Sequence, residues 1–275
     1  MRDPIKVLYV SSEVYPYLPE STISNIGRYL PQGVQERGGE IRLFMPRYGL
    51  INERRNQLHE VIRLSGMNLV INDTDHSLII KVSSISAARM QVYFIDNEEY
   101  FSRKFIYGDP ETEPFFKDND ERALFFAKGV LETVKRLRWK PDIIHIQGWF
   151  SHFLPLFIEK MYSNDPLFSH SKIILSLYNE MLDSKLSSDV ASKIVYPAIK
   201  SKELTLLSDP TLLNLAKLAI KHSHAVIVGE DQLNSELSKL VEESSIPSLG
   251  YIDTHQEESN YIEEYHKFYQ QIITE

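Results

Sequence analysis

The sequence predicts an α/β fold: a Rossmann-like, doubly wound, mostly parallel sheet with a small antiparallel excursion and a C-terminal amphipathic helix. Three observations predict it. Short runs such as "IKVLYV" (Ile5–Val10), "IRLFMP" (Ile41–Pro46) and "PDIIHI" (Pro141–Ile146) are rich in aliphatic residues. Such runs read as strands buried on both faces of a parallel sheet. Amphipathic helical stretches separate them, so strand and helix alternate along the chain. Residues 58–95 break that rhythm with several β-type segments joined by polar turns such as "NDTD".

Each element has its own signal. After the first strand a helix is predicted from Ser21 to Arg37, with Ser21 or Thr22 as its N-cap and Gly38-Gly39 as its end. Pro31 lies inside it, so a kink or break is expected near Leu30. The strand Ile41–Pro46 completes a βαβ unit. "HEVIRLSG", "SLIIKVSSIS" and "RMQVYFID" are the expected strands of the antiparallel excursion, and "NEEYFSR" a short helix. Lys104–Asp120, with two prolines, a glycine and several acids, is a long loop, and long loops in compact domains are often functional. Ala123, Leu124, Ala127, Val130, Leu131, Val134 and Leu137 recur at helical spacing. Then follow strand Pro141–Ile146, a helix in "GWFSHFLPLFIEKMY", strand Lys172–Tyr178, helix "LLNLAKLAIKHS", strand His224–Gly229 and helix "DQLNSELSKLVEES". In the last segment Tyr261, Ile262, Tyr265, Phe268, Tyr269, Ile272 and Ile273 share one helical face, the pattern of a packing surface.

Composition narrows the function. A chain of 275 residues, 43% hydrophobic and 25% charged, can bury a substantial core. No apolar run reaches membrane-spanning length, and Asp3-Pro4 spoils a signal-peptide reading, so a cytoplasmic protein is expected. With no cysteine there are no disulfides, thiolate metal sites or cysteine nucleophiles. Residues 230–275 hold eleven acids against Lys239 and Lys267, a balance of −9 within a total of −8. An acidic tail on a near-neutral body gives no footprint for nucleic acid. No Walker loop and no Gly-x-Ser-x-Gly elbow is present. "INDTDHS" reads as a hairpin turn rather than a metal site, and His222 and His224 flank a helix-to-strand turn. Neither a cofactor nor a metal is expected.

Several segments, in order, resemble the N-terminal half of bacterial glycogen and starch synthases, glycosyltransferase family 5. They are "KVLYVSSEVYP", "LPQGVQERGGEIRLFMPRYG", "VYFIDNEEYFSRKFIYGDP", "DNDERALFF", "WKPDIIHIQGW" and "KIILSLYN". The resemblance implies the first of two Rossmann-like domains of a GT-B fold, one that holds the glucan. It also implies residues 1–250 as that domain and residues 251–275 as a capping helix packed on it, the second domain being absent. Glu13, Asp118, Asn119, Arg122, Trp149 and Asn179 match family positions on the glucan side. Plainer roles stay open: Asn119 or Asp120 as a helix cap, Trp149 as core, Arg122 paired with an acid.

The chain departs from the family where the chemistry lies. The family's Lys-Thr-Gly-Gly-Leu loop is matched by Pro19, Glu20, Ser21, Thr22 and Ile23. The His-Asp-Trp motif is matched by Gln147, Gly148 and Trp149, and the histidine of Ile-His-Asn by Tyr178. The lysine, the glycines and two histidines are replaced, and Glu20 adds a repulsive carboxylate. No catalytic residue is therefore assigned. The expectation is a glycogen/starch synthase-like protein that does not catalyse and that binds α-1,4-glucan or a protein of glycogen metabolism. Its alternatives are a glucosyltransferase half completed by a separate chain and a protein-interaction scaffold. The oligomeric state is left open.

Overall fold

The structure, a computed structural model, describes residues 4–194, 196–254 and 260–274. Strand β1 (Lys6–Ser11), helix α1 (Thr22–Glu36) and β2 (Glu40–Pro46) form the opening βαβ unit. The excursion follows as β3 (His59–Glu60), β4 (Met67–Ile71), β5 (Thr74–Ile85) and β6 (Met90–Asp96). Helices α2 (Glu98–Phe101) and α3 (Asn119–Leu137) then lead to β7 (Ile143–Gln147). The remaining elements are α4 (Leu154–Met161), β8 (Lys172–Leu177), α5 (Val190–Lys193), α6 (Leu212–Lys221), β9 (Ala225–Val228), α7 (Ser235–Glu243), β10 (Ser248–Leu249) and α8 (Tyr261–Thr274).

The strands join in the order β10-β9-β8-β7-β1-β2-β6-β5-β3, with β4 paired to β5 alone. From β10 to β6 the neighbours are parallel; β5 pairs antiparallel with β6, β3 and β4. The mixed α/β sheet agrees with the sequence. Its central strands are buried on both faces, as their unbroken apolar runs require. The chain winds outward from β1 to β2 on one side, then returns through α3 and continues from β7 to β10 on the other. The β1/β7 boundary is thus the topological switch point, where open α/β sheets form their ligand crevice beyond the strand C-termini.

Local signals explain most boundaries. Ser21 caps α1 by accepting from the Ser24 N–H (3.0 Å), and Ser24 Oγ accepts from the Ser21 N–H (2.8 Å). The helix runs on through Pro31, where a break was expected. A missing hydrogen bond and ring clash cost about 3 kcal/mol. Burying Ile23, Ile26, Leu30 and Val34 returns roughly 1.5–3 kcal/mol each. Packing therefore outweighs the proline. Asn72 and Asp73, both at positive φ, make the two-residue turn between β4 and β5.

Three expectations need correction. "HEVIRLSG" yields only the two paired residues of β3, because the chain turns at Val61 and Ser65. The helix expected from Gly148 is a 3-10 turn at Trp149–Ser151 and then α4, whose second residue is Pro155. The N-cap of α3 is Asp118, without a side-chain cap bond, rather than Asn119 or Asp120.

Helix α8 lies against α1 and the central sheet. Tyr265, Phe268, Tyr269 and Ile272 are buried, Tyr261 and Ile262 half-buried, and Ile273 turns to solvent. Gly33 on α1 leaves the notch that Ile262 fills; a Cβ there would collide with it. Beneath the helix, Tyr269 Oη lies 2.6 Å from His145 Nδ1, and His145 Nε2 lies 2.7 Å from Ser176 Oγ. Burial holds His145 down to about 3, so the ring is neutral, one nitrogen donating and the other accepting.

Candidate functional site

Four strands end at the switch-point crevice, and each delivers a polar group there. β1 gives Ser11, Ser12 and Glu13; β7 gives Gln147, Gly148 and Trp149; β8 gives Tyr178, Asn179 and Glu180; β9 gives Gly229 and Glu230. The sequence-predicted residues Glu13, Gln147, Gly148, Trp149, Tyr178 and Asn179 therefore share one end of the sheet.

Glu13 is half-buried, and its Oε2 accepts from Ser21 Oγ (2.7 Å). The substituted loop thus secures the carboxylate and caps α1 with one serine. Pro19 and Glu20 are exposed, and Thr22 begins the helix. Burial raises the Glu13 carboxyl above its usual range; hydrogen bonds from Ser21 and Tyr107 partly oppose that.

Glu180 follows β8 and lies near enough to Glu13 for that carboxylate to act on it. Its Oε2 accepts the Trp149 N–H (2.9 Å), while Oε1 is enclosed without a partner among the described residues. Burial first, then the charges of Glu13 and Glu230, push it up to about 8. Burial raises Glu230 as well. None of these three carboxylates forms an ion pair with a lysine or arginine among the described residues. No cluster among those residues is arranged to hold a metal ion.

Trp149 is 1% exposed. Its ring packs beside Tyr107, Phe115 and Phe150, with centroids 5.0, 5.7 and 5.1 Å away. It forms the floor under the loop rather than an open stacking platform. The other expected residues hold that loop. Asp118 pairs with Arg103 (2.5 Å), and Asn119 Nδ2 donates to the Tyr107 carbonyl (2.7 Å). Arg122 is fully buried and donates to the carbonyls of Tyr100 (2.8 Å) and Ile106 (2.9 Å) and to Asn119 Oδ1 (2.5 Å). Its partners are carbonyls and an amide, not the acid considered from the sequence. Burial lowers it to about 10, still charged at neutral pH. Asn179 sits on the rim, exposed, donating to the Gln232 carbonyl and accepting from the Asn234 N–H, both at 2.7 Å. An open cavity of 560 Å³ adjoins it, lined in part by Met181, Asp183 and Leu213.

Gln147 and Tyr178, which stand at two family histidine positions, are both buried. Neither end of the Gln147 amide finds a partner among the described residues. The Tyr178 ring fills the space over Gly229. Sequence reasoning did not find Glu180, Glu230, Tyr48 or Tyr107. For the two acids a signal existed: an acid soon after a buried strand, as at Glu13.

The fold and site define a class: a Rossmann-like domain with an acidic, half-enclosed crevice at the switch point of its sheet. More particularly, the chain belongs to the starch synthase catalytic domain family, whose model matches residues 6–245. Among curated relatives, a glycogen synthase of Chlorobium limicola is 38% identical over 200 residues, 73% of this chain and 41% of that protein. A glycogen synthase of Chlorobaculum tepidum is 33% identical over 236 residues, 86% of this chain and 48% of the relative. The chain thus spans about two fifths to one half of the relatives it matches. Among solved structures, the catalytic domain of starch synthase IV from Arabidopsis thaliana, bound to ADP and acarbose, aligns with a TM-score of 0.70. That match has 16% identity and covers 90% of this chain and 52% of the other, which establishes likeness of fold.

Proposed function

We propose that this starch synthase-type domain binds α-1,4-glucan at the switch-point crevice and does not itself transfer glucose. The observation that carries the reading is the carboxyl lining of the crevice. Glu13, Glu180 and Glu230 converge on the strand ends, and no lysine or arginine pairs with them among the described residues. A departing nucleoside diphosphate needs cations around it. Carboxyl and amide groups instead suit the paired hydroxyls of a neutral sugar. In this reading Glu13 and Asn179 meet the glucan directly. Asp118, Asn119, Arg122 and Trp149 act through the loop they hold. We further propose residues 1–250 as the binding domain, residues 251–275 as its cap, and a cytoplasmic setting. No described helix is long and apolar enough to cross a membrane.

Calorimetric titration with maltoheptaose tests this, alongside an ADP-glucose transfer assay. Saturable heat without turnover supports the reading. Turnover by the chain alone overturns the non-catalytic part, and absence of heat at millimolar ligand overturns the glucan part. A second reading is a transferase half that works with a separate nucleotide-sugar domain. The relatives' roughly double length favours it. Turnover appearing only when such a domain is added would select it. A protein-binding role remains the outcome if neither sugar binding nor complementation is seen.

A further inference from the structure

Gly148 directly follows β7 with φ +84°, a backbone that disfavours any side chain. A Cβ at this position would collide with Ser12 and lie 3.3 Å from Glu180 Oε1. The family motif matched here carries an aspartate at this position. The backbone of this chain has no room for one, and a carboxyl arrives instead from the neighbouring strand end. Glu180 fixes it there through the Trp149 N–H.

We propose that Glu180 is the specificity-determining residue of the crevice, forming with Glu13 a carboxyl pair that holds the hydroxyls of a neutral sugar and turns phosphates away. This rests on the glucan reading above and names the residue that sets its selectivity.

A second observation points to an occupant. Ser12 Oγ and Glu180 Oε1, both enclosed beside the Gly148 backbone, have no hydrogen-bond partner among the described residues. The Tyr48 and Tyr107 hydroxyls bond to each other and lie within the fields of both Glu13 and Glu180. With the two ends of the Gln147 amide, enclosed polar atoms at the ends of β1, β7 and β8 lack partners among the described residues. Buried polar atoms are nearly always satisfied, so such a group calls for a polar occupant. A sugar hydroxyl both donates and accepts. A carboxyl pair holding one proton offers both roles, and Ser12 Oγ adds a further hydroxyl.

The groups acting on Glu180 are Glu13, Glu230 and Tyr178, with Tyr48 and Tyr107 beside the pair and Arg122 beyond Tyr48. Burial and Glu13 keep Glu180 protonated until about pH 8. Above that point the donor is lost and two carboxylates face each other. Sugar binding therefore weakens as pH rises.

The test is titration of the full chain with maltoheptaose and, separately, with ADP, near pH 6.5 and 9. Wild type, Glu180→Gln and Glu180→Leu are compared. Wild-type sugar affinity falls about tenfold between the two pH values, the scale of one lost hydrogen bond to a charged site. Glu180→Gln binds sugar with little dependence on pH. Glu180→Leu binds about tenfold more weakly at the lower pH. ADP gives no saturable heat with wild type. Sugar binding indifferent to both pH and Glu180→Leu overturns the role of Glu180 and leaves the glucan reading standing. No sugar binding by wild type overturns both, and ADP binding tighter than sugar overturns the selectivity. Should Glu180→Leu fail to fold, Glu180→Gln carries the test through its pH profile.

Discussion

Two buried polar regions lie on the same sheet and are finished differently. Under α8, both nitrogens of His145 are bonded, one to Tyr269 and one to Ser176. At the strand ends, the Gln147 amide, Ser12 Oγ and Glu180 Oε1 are enclosed without partners among the described residues. A satisfied polar group locks one arrangement; an unsatisfied one costs stability that only a ligand or water returns. The difference separates what holds the fold from what is kept for binding. Polarity alone does not make that separation: His145 lies in a family motif and yet joins a helix to a strand.

The largest test removes the lock. Tyr269→Ala empties a buried aromatic site and strands His145, and is expected to cost about 3–5 kcal/mol in denaturant unfolding. A loss below 1 kcal/mol would mean that α8 is not integral to the core.

The next test concerns the open region. The Glu180 carboxyl is raised in the folded chain, so between pH 4.5 and about 8 the folded state binds more protons than the unfolded one. Stability from this group is fully present below the unfolded value and is lost as pH rises through that window. Thermal midpoints should therefore fall from pH 5 toward pH 8, and Glu180→Gln should flatten that slope. An unchanged slope in the variant would assign the effect elsewhere.

Two smaller changes sharpen the contrast. Ser21→Ala removes the α1 cap and the hydroxyl on Glu13, at a cost of about 1 kcal/mol by chemical denaturation. Gln147→Leu replaces an amide with no partner by an apolar side chain of similar size. It should be neutral or stabilise by less than about 1 kcal/mol, because no bond is lost. A marked loss of stability there would reveal a partner for Gln147.

The parallel core was legible because its strands are buried on both faces, and "KVLYV" and "IIHI" show that without any partner in view. The cap at Ser21 was legible because capping is local. Pro31 misled because propensity is local while its compensation, packing of Ile26 and Leu30 on the sheet, is not. The site was readable in part. Glu13, Trp149 and Asn179 follow strand ends, whereas the work of Arg122 depends on carbonyls 16 and 22 residues away. Glu180 escaped because an acid after a strand looks like an ordinary loop charge; its place beside the Gly148 backbone is a matter of tertiary contact.

The Tyr269–His145 bond spans 124 residues of chain. During synthesis at 5–20 residues per second, roughly 6–25 s separate the appearance of its two ends. Through that interval Tyr9, His145 and the notch at Gly33 form an uncovered apolar face. Docking of α8 is the event that covers them, so the last segment to be made completes the core of the first.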